Sequence, residues 1–504
     1  MFLAYDVKKG VKYAKWTQSK RIGGKVVHEC VNIGRVLDEK RGIFRSRERG
    51  VFTFDPASGT FGAAPADFVP PRTHRGKERL ILDFGDAYVL ERFIQAAGLE
   101  PVIDAIGYGN PDTLRAMLFH YTLCGMANSH AESWWEGSYA RLLFPRADLR
   151  SQRISEFLSA IGAERVRRRF FAAYLATLRN EWKTLGNVLV DSTGLPNSIR
   201  FPLTAVSNHN GKVSNEVRLV YVLHRPSGLP LYFRCCPGNV IDVSTLVRTV
   251  GELAQLGVSL EELILDAGYY DVENLELLFE KNIAFVLRLK ENLRLRKRLL
   301  AERLPTLARK ENLVRFHDRF VYLERVPCKP DGEHDAWAYL GLDLSRKGVE
   351  ADNLFRRAAR TDMDPGEVHD ALAGQGVFAL LASRPIETND ILPTYFARQE
   401  IEQVFDLGKN NVSLLPLRVQ TETALNGHLL LTFLATVLHK RLQTLLKDSS
   451  YTPVSLFQNL RNQKCKVYEA AVIPQEPAKK AHDAYKLLHI PCLAKLSLPS
   501  PAEL

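Results

Sequence analysis

Cysteine is scarce and shows no pairing pattern: the chain has seven in 504 residues, Cys30, Cys124, Cys235, Cys236, Cys328, Cys465 and Cys492. An odd count with no Cys-x-x-Cys spacing removes the case for a disulfide framework or a zinc knuckle, so reduced thiols are expected. Long apolar runs are missing as well. The most apolar one, Leu429 to Leu438, contains Thr432 and Thr436, ends on His439-Lys440-Arg441, and falls well short of the roughly 20 residues a membrane span needs. Met1-Phe2-Leu3-Ala4-Tyr5 runs into Asp6 and then lysines, not into the apolar core of a signal peptide. A cytoplasmic protein with no membrane partner is therefore expected. No acidic residue occurs between Lys8 and Lys25.

What is present is basic and long. Lys plus Arg number 68 against 57 Asp plus Glu, a net charge of +11, which favours a polyanionic partner such as nucleic acid. The acid-free stretch interleaves Lys8, Lys9, Lys12, Lys15, Lys20, Arg21 and Lys25 with Tyr13, Trp16 and Val26-Val27. It reads either as a strand surface that tracks phosphates or as a hairpin made soluble by its lysines. Arg41, Arg45, Arg47 and Arg49 form a second cluster, and Pro65, Pro70 and Pro71 mark a linker. From about Phe84 to Trp182 the pattern is helical, with breaks at Gly107–Pro111 and Pro145 and a helix start at Ser151.

Two short apolar runs each lead to an aspartate. Asn187-Val188-Leu189-Val190 precedes Asp191-Ser192-Thr193, and Glu262-Leu263-Ile264-Leu265 precedes Asp266-Ala267-Gly268-Tyr269-Tyr270. Each reads as a buried strand that delivers a carboxylate at its C-terminal end. Farther on, the segment Tyr395 to Lys409 reads as one helix. At about 100° per residue, Tyr395, Arg398, Glu402 and Lys409 share a stripe flanked by apolar Ile401, Val404 and Phe405. Two strand aspartates with a helix glutamate suit a pair of Mg²⁺ ions about 3.5–4 Å apart, and the basic and phenolic neighbours suit phosphates beside them. Asp242 before Val243-Ser244-Thr245 and Asp271 before Val272-Glu273 read as helix N-caps and stay outside this set.

On these residues the chain resembles the DDE transposases of the bacterial IS4-type insertion-sequence superfamily, IS1634-like branch. Tyr395, Arg398, Glu402 and Lys409 meet the Tyr-x2-Arg-x3-Glu-x6-Lys signature without a gap. Asp191-Ser192-Thr193 and Asp266-Ala267-Gly268-Tyr269-Tyr270 match the two aspartate boxes, and Pro237-Gly238-Asn239-Val240-Ile241-Asp242 matches the Gly-Asn-x-x-Asp element between them. The resemblance covers roughly residues 187–440. It implies an RNase H-like catalytic core with Asp191, Asp266 and Glu402 as catalytic metal ligands for two Mg²⁺ ions, for which Mn²⁺ can substitute. Tyr395, Arg398 and Lys409, with Arg288 and Lys290 as further candidates, would grip DNA phosphates. Trp337 reads either as a core tryptophan or as the aromatic that stacks on a base drawn from the duplex.

The expected architecture is a multidomain α+β and α/β chain. A basic, strand-containing N-terminal region (1–83) comes first, then a helical domain (84–184) suited to binding terminal repeats. The RNase H-like core (185–292 and 377–447) follows, interrupted by a β-rich insertion (293–376), with a C-terminal region (448–504) at the end. The implied substrates are double-stranded DNA at the terminal inverted repeats and at the target, handled by a homodimer on the bacterial nucleoid. Two alternatives carry other functions: a related RNase H-like nuclease that cuts without joining, and a transposase-derived regulator that binds DNA without chemistry. A glycosidase would explain the acids but not the basic stripe around Glu402.

Overall fold

In the computed structural model the chain divides into two units, Met1–Glu78 and Arg79–Leu504. The structure describes residues 2–8, 11–22, 25–65, 68, 80–199, 201–209, 212–361, 363–469 and 471–497. Lys9, Pro70 and Pro71 lie outside the described residues.

The first unit is a six-stranded antiparallel sheet in sequence order: Phe2–Lys8, Val11–Ile22, Lys25–Asp38, Ile43–Ser46, Gly50–Asp55 and Thr60–Ala63. Its core is Ala14, Ile33, Phe44, Phe52 and Phe54, with Trp16 edge-on to Phe54 at 5.6 Å. Gly34 makes the tightest approach: at φ +126°, a Cβ there would stand 2.4 Å from the Arg45 carbonyl oxygen. Lys12 and Lys15 are paired with Glu39 and Asp6 at 2.6 and 2.5 Å, so part of the basic face is internally neutralised.

The second unit is a mixed α/β assembly built on one large sheet. Its principal strands are β1 (Asn187–Pro196), β2 (Lys212–His224), β3 (Leu229–Pro237), β4 (Glu262–Leu265), β5 (Ala284–Arg288), β6 (Leu313–Phe316), β7 (Arg319–Cys328), β8 (Ala336–Asp343) and β9 (Val377–Ala382). They lie in the order β3-β2-β1-β4-β5-β9-β8-β7-β6, and Ala205–His209 adds a short strand against β2. The β1–β4 and β4–β5 pairs are parallel, while β1, β2 and β3 form an antiparallel meander. Val188, Leu189, Val190, Leu263, Ile264, Leu265, Phe285, Val286 and Leu287 are all buried, as expected of strands covered on both faces.

The cover on one face is the helix Glu422–Leu445, which is buried along nearly its whole length. Phe433 from this helix meets Phe170, Phe171 and Tyr174 of the helix Glu164–Glu181 and Tyr221 and Phe233 of β2 and β3, all with ring centroids 5.5–6.1 Å away. Its other side crosses the helix Ser151–Ile161 at two glycines. A Cβ on Gly427 would stand 1.9 Å from the Leu158 carbonyl oxygen, and one on Gly162 would stand 1.8 Å from that of Thr423. Only hydrogen fits at that crossing. A small sheet pairs Leu80–Asp83 with Lys464–Val467, joining the start of this unit to its C-terminal region. No helix of the described residues is long and apolar enough to cross a membrane.

The stretch 293–376 departs from the expected β-rich insertion. Beside β6, β7 and β8 it holds the helices Arg294–Leu307, Leu344–Thr361 and Pro365–Ala373, since its Arg-, Leu- and Ala-rich flanks are strong helix formers. Its strands extend the main sheet through β9 and do not form a separate layer.

Candidate active site

Strand register brings the two aspartates together. The last β1–β4 pair is Val190 with Leu265, so Asp191 and Asp266 are the next residue on each of two neighbouring parallel strands. Asp191 does not end its strand as expected. β1 runs on to Pro196 because β2 keeps pairing with it, Tyr221 opposite Asp191, after β4 has stopped. The aspartate therefore sits inside a continuous strand, with Thr193 on its own face and Ser192 on the other.

The segment expected as one helix is two. Thr388–Phe396 and Gln399–Asn411 are joined at Ala397-Arg398 by hydrogen bonds three residues apart, from Arg398 N–H to the Tyr395 carbonyl and from Ile401 N–H to that of Arg398. Such a 3₁₀ stitch tightens the winding at the Arg398 position. Ile401, Val404 and Phe405 are buried, and Phe405 stacks on Tyr221 at 5.4 Å. Glu402 is thereby held on the solvent edge, its side chain 58% exposed.

All three carboxylates converge on one guanidinium. Arg398 Nη2 donates to Asp191 Oδ2 at 2.8 Å. Its Nη1 stands 3.4 Å from Asp266 Oδ1, and Nη2 stands 3.7 Å from Glu402 Oε1. Tyr395 Oη donates to Asp266 Oδ1 at 3.4 Å, and Lys409 Nζ donates to Thr193 Oγ1 at 2.7 Å. Burial pushes the Asp191 carboxyl above its ordinary range, against the pull of Arg398. Burial also drives the Tyr395 phenol up to about 12, so it is a neutral donor. For Arg398, burial works against the charge, but Asp191 and Asp266 outweigh it and hold the guanidinium above its usual value.

Among the described residues no three His, Cys, Asp or Glu side chains are gathered closely enough to hold a metal ion; the positive charge at the centre is Arg398. The donor set still fits a hard divalent cation in kind, because it is all carboxylate oxygen and each member lies against the same guanidinium.

Asp242, expected as a side-chain N-cap, makes no cap hydrogen bond to the helix Val243–Gln255. Its own backbone is helical, and its carboxylate turns to better donors: it accepts from Ser192 Oγ and from Arg218 Nη1 at 2.9 Å. Glu216 lies 3.6 Å from Arg218. Room for these acids comes from glycines. A Cβ on Gly268 would stand 2.7 Å from Asp242 Oδ2, and one on Gly194 would stand 2.2 Å from Glu216 Oε2. Asp242 thus bonds the residue beside Asp191 and packs close against Gly268 in the loop that follows Asp266. Asp271 caps its helix as expected, accepting from Glu273 N–H.

Beside the acids opens a cavity of about 380 Å³. Arg288, Tyr395, Arg398 and Glu402 line it together with Phe316, Arg319 and Phe396. Phe316 and Phe396 stack at 5.0 Å, and Arg319 covers Phe316 at 5.6 Å while pairing with Asp343 at 2.8 Å. Lys290 and Trp337 are not among its lining residues. Trp337 is packed against the core with the Arg325 guanidinium 5.2 Å above its ring. The Glu216, Arg218 and Asp242 network was overlooked in the sequence, although Glu216 and Arg218, charged at alternate positions of a buried strand, were a usable signal.

The family model for the transposase DDE domain matches residues 184–438, a span that contains every acidic residue of the site. The chain belongs to the DDE transposases, enzymes that cleave DNA and transfer its strands, and divalent metal ions are typical of their catalytic domains. Among solved structures, the chain is similar to the cryo-EM structure of the piggyBac transposase synaptic complex with hairpin DNA. The TM-score is 0.41 at 10% identity, over 75% of this chain and 79% of that chain. No curated protein matches the chain.

Proposed function

We propose that this transposase excises and inserts an insertion sequence by divalent-metal-dependent cleavage and strand transfer at its terminal inverted repeats, with Asp191, Asp266 and Glu402 as the catalytic acids. One observation carries the assignment: the three carboxylates, from two neighbouring strands and a helix, each come within 3.7 Å of the same Arg398 guanidinium. The strand order β3-β2-β1-β4-β5, an antiparallel meander followed by two parallel strands, supports an RNase H-like core. The same branch of the superfamily as the Tyr395/Arg398/Glu402/Lys409 spacing suggests is the IS1634-like one.

The three acids would hold two Mg²⁺ ions, with Mn²⁺ as a substitute. When bound, such ions supply an activated oxygen nucleophile and neutralise charge on the reacting phosphate. The chain's own groups orient the substrate. Tyr395, kept neutral by burial, can donate to a phosphate oxygen without adding charge, and Arg398 and Lys409 offer fixed positive charge on either side of Glu402. Arg288, lining the cavity, extends that surface. Lys290, beyond the end of β5, is a more distant candidate. Trp337 would offer a stacking surface to a base drawn from the duplex once Arg325 leaves its ring.

The N-terminal region, 1–83, and the helical stretch, 84–184, are proposed to bind element ends, and a homodimer to bring two ends together. The bacterial cytoplasm, on the nucleoid, is the proposed setting. Labelled duplex carrying the element's own ends, incubated with the full chain and Mg²⁺, should be cut at the element boundary and joined to a target. Specific binding with no cleavage in Mg²⁺ or Mn²⁺ would favour a DNA-binding regulator, and cutting without joining a nuclease.

A further inference from the structure

Three carboxylates that face one small volume repel each other unless a cation sits among them. In this structure that cation is Arg398, and several features show that it is held in place. Its side chain is only 13% exposed. It lies on the 3₁₀ stitch between two helices, where the backbone fixes its origin. Its Nη1 and Nη2 carry the contacts to the acids, while Nε is buried with no hydrogen-bond partner among the described residues. The oxygens that Arg398 engages, Asp191 Oδ2, Asp266 Oδ1 and Glu402 Oε1, belong to the three carboxylates that a divalent ion would need.

We infer that Arg398 is the resident counter-ion of the acidic site: guanidinium and divalent cation exclude each other from these carboxylates, and cation loading releases Arg398 toward a DNA phosphate. This rests on the reading of Asp191, Asp266 and Glu402 as metal ligands. Once divalent charge neutralises the acids, the guanidinium loses the attraction that holds it against Asp191 and Asp266, and a phosphate is the next strong acceptor. Linkage makes the effect reciprocal: whatever cation loading adds to DNA affinity, bound DNA adds to cation affinity. The site would then stay neutralised and closed until metal and DNA arrive together.

The test is calorimetric titration of Mn²⁺ into the full-length protein without DNA, for the wild type, Arg398→Gln, Arg398→Lys and Asp191→Asn. Arg398→Gln should bind Mn²⁺ about tenfold more tightly than wild type or better, because a competing charge has gone. Arg398→Lys keeps the charge but cannot span two carboxylates at once. It should fall between the two, which keeps the test decisive if the glutamine variant folds poorly. In parallel, fluorescence anisotropy with a labelled duplex should show wild-type affinity rising when Ca²⁺ replaces EDTA, and Arg398→Gln affinity unchanged by Ca²⁺. Equal or weaker Mn²⁺ binding by both Arg398 variants, with binding lost in Asp191→Asn, overturns the counter-ion role and leaves the acidic site standing. Undiminished Mn²⁺ binding in Asp191→Asn overturns the site reading and the inference with it.

Discussion

Lys409 Nζ donates to Thr193 Oγ1 at 2.7 Å, two residues along β1 from Asp191. With the Arg398–Asp191 contact at the other end, the helix carrying Glu402 is tied to the strand carrying Asp191 at both its first and last turns. A hydrogen bond to a charged group contributes about 1.5–3 kcal/mol. If that tie sets the distance between Glu402 and the aspartates, Lys409→Met should lower the strand-transfer rate by about 10- to 100-fold, with far-UV circular dichroism unchanged. Thr193→Val should do the same. Wild-type rates in both variants would show that the tie positions nothing.

Asp242 supports the site from the other face of β1. Removing it by Asp242→Ala takes the nearer of two carboxylates from Arg218, whose side chain is 5% exposed, and leaves Glu216 at 3.6 Å with the Ser192 hydroxyl at 3.1 Å. Breaking such a buried pair costs about 3–5 kcal/mol. The thermal unfolding midpoint of the second unit should drop by several degrees. Gly194→Ala should also destabilise, because its methyl would stand 2.2 Å from the Glu216 carboxylate. A midpoint within 1 °C of wild type, an allowance of about 0.9 kcal/mol for a unit of this size, would contradict the role given to this network.

Lys440 and Glu400 pair at 2.9 Å, but their side chains differ in exposure, 8% against 42%. The two single substitutions should therefore be unequal. Lys440→Met leaves a carboxylate that water can reach and should cost little. Glu400→Ala strands a buried ammonium and should cost about 3 kcal/mol, read as a lower denaturation midpoint. Equal costs would contradict the asymmetry.

The raised pKa of Asp191 gives a sign for pH. Between its unfolded and folded values the folded state holds the extra proton, so this group's stabilising contribution is complete below the unfolded value. It is lost as pH rises through the folded one. Metal binding runs the other way, since the ionised carboxylate is the ligand. Mn²⁺ affinity should rise with pH through a midpoint above the ordinary aspartate range of about 3.9. Because Arg398 pulls the Asp191 pKa down, Arg398→Gln should move that midpoint up. A shift to lower pH would contradict the assignment.

Much of the candidate site's placement was legible because its pattern is written locally. An apolar run ending in Asp191 or Asp266 marks a buried strand and its acid within five residues, and the Tyr395-to-Lys409 spacing places four side chains along one edge. What escaped depends on contacts between distant segments. Nothing local says that β2 outlasts β4 as a partner of β1 and so carries the strand past Asp191. Nothing local says that Asp242 finds Ser192 and Arg218 better donors than its own helix. The break at Ala397-Arg398 lies where Arg398 meets two carboxylates from distant strands, whereas a rotation of 100° per residue assumes an isolated helix. The cavity lined by Phe316, Arg319 and Phe396 joins segments about eighty residues apart, and only the folded sheet reveals it.

The central claim is that Asp266 and Glu402 act as metal ligands in DNA cleavage, and ligand softness tests it directly. Asp266→Cys and Glu402→Cys would be assayed on duplex carrying the element's ends, in Mg²⁺ and in Mn²⁺. A thiolate is a poor ligand for Mg²⁺ and a better one for Mn²⁺, so both variants should be inactive in Mg²⁺ and regain cleavage at the element boundary in Mn²⁺, while the alanine variants stay inactive in either. Full Mg²⁺ activity in the cysteine or alanine variants would contradict the account.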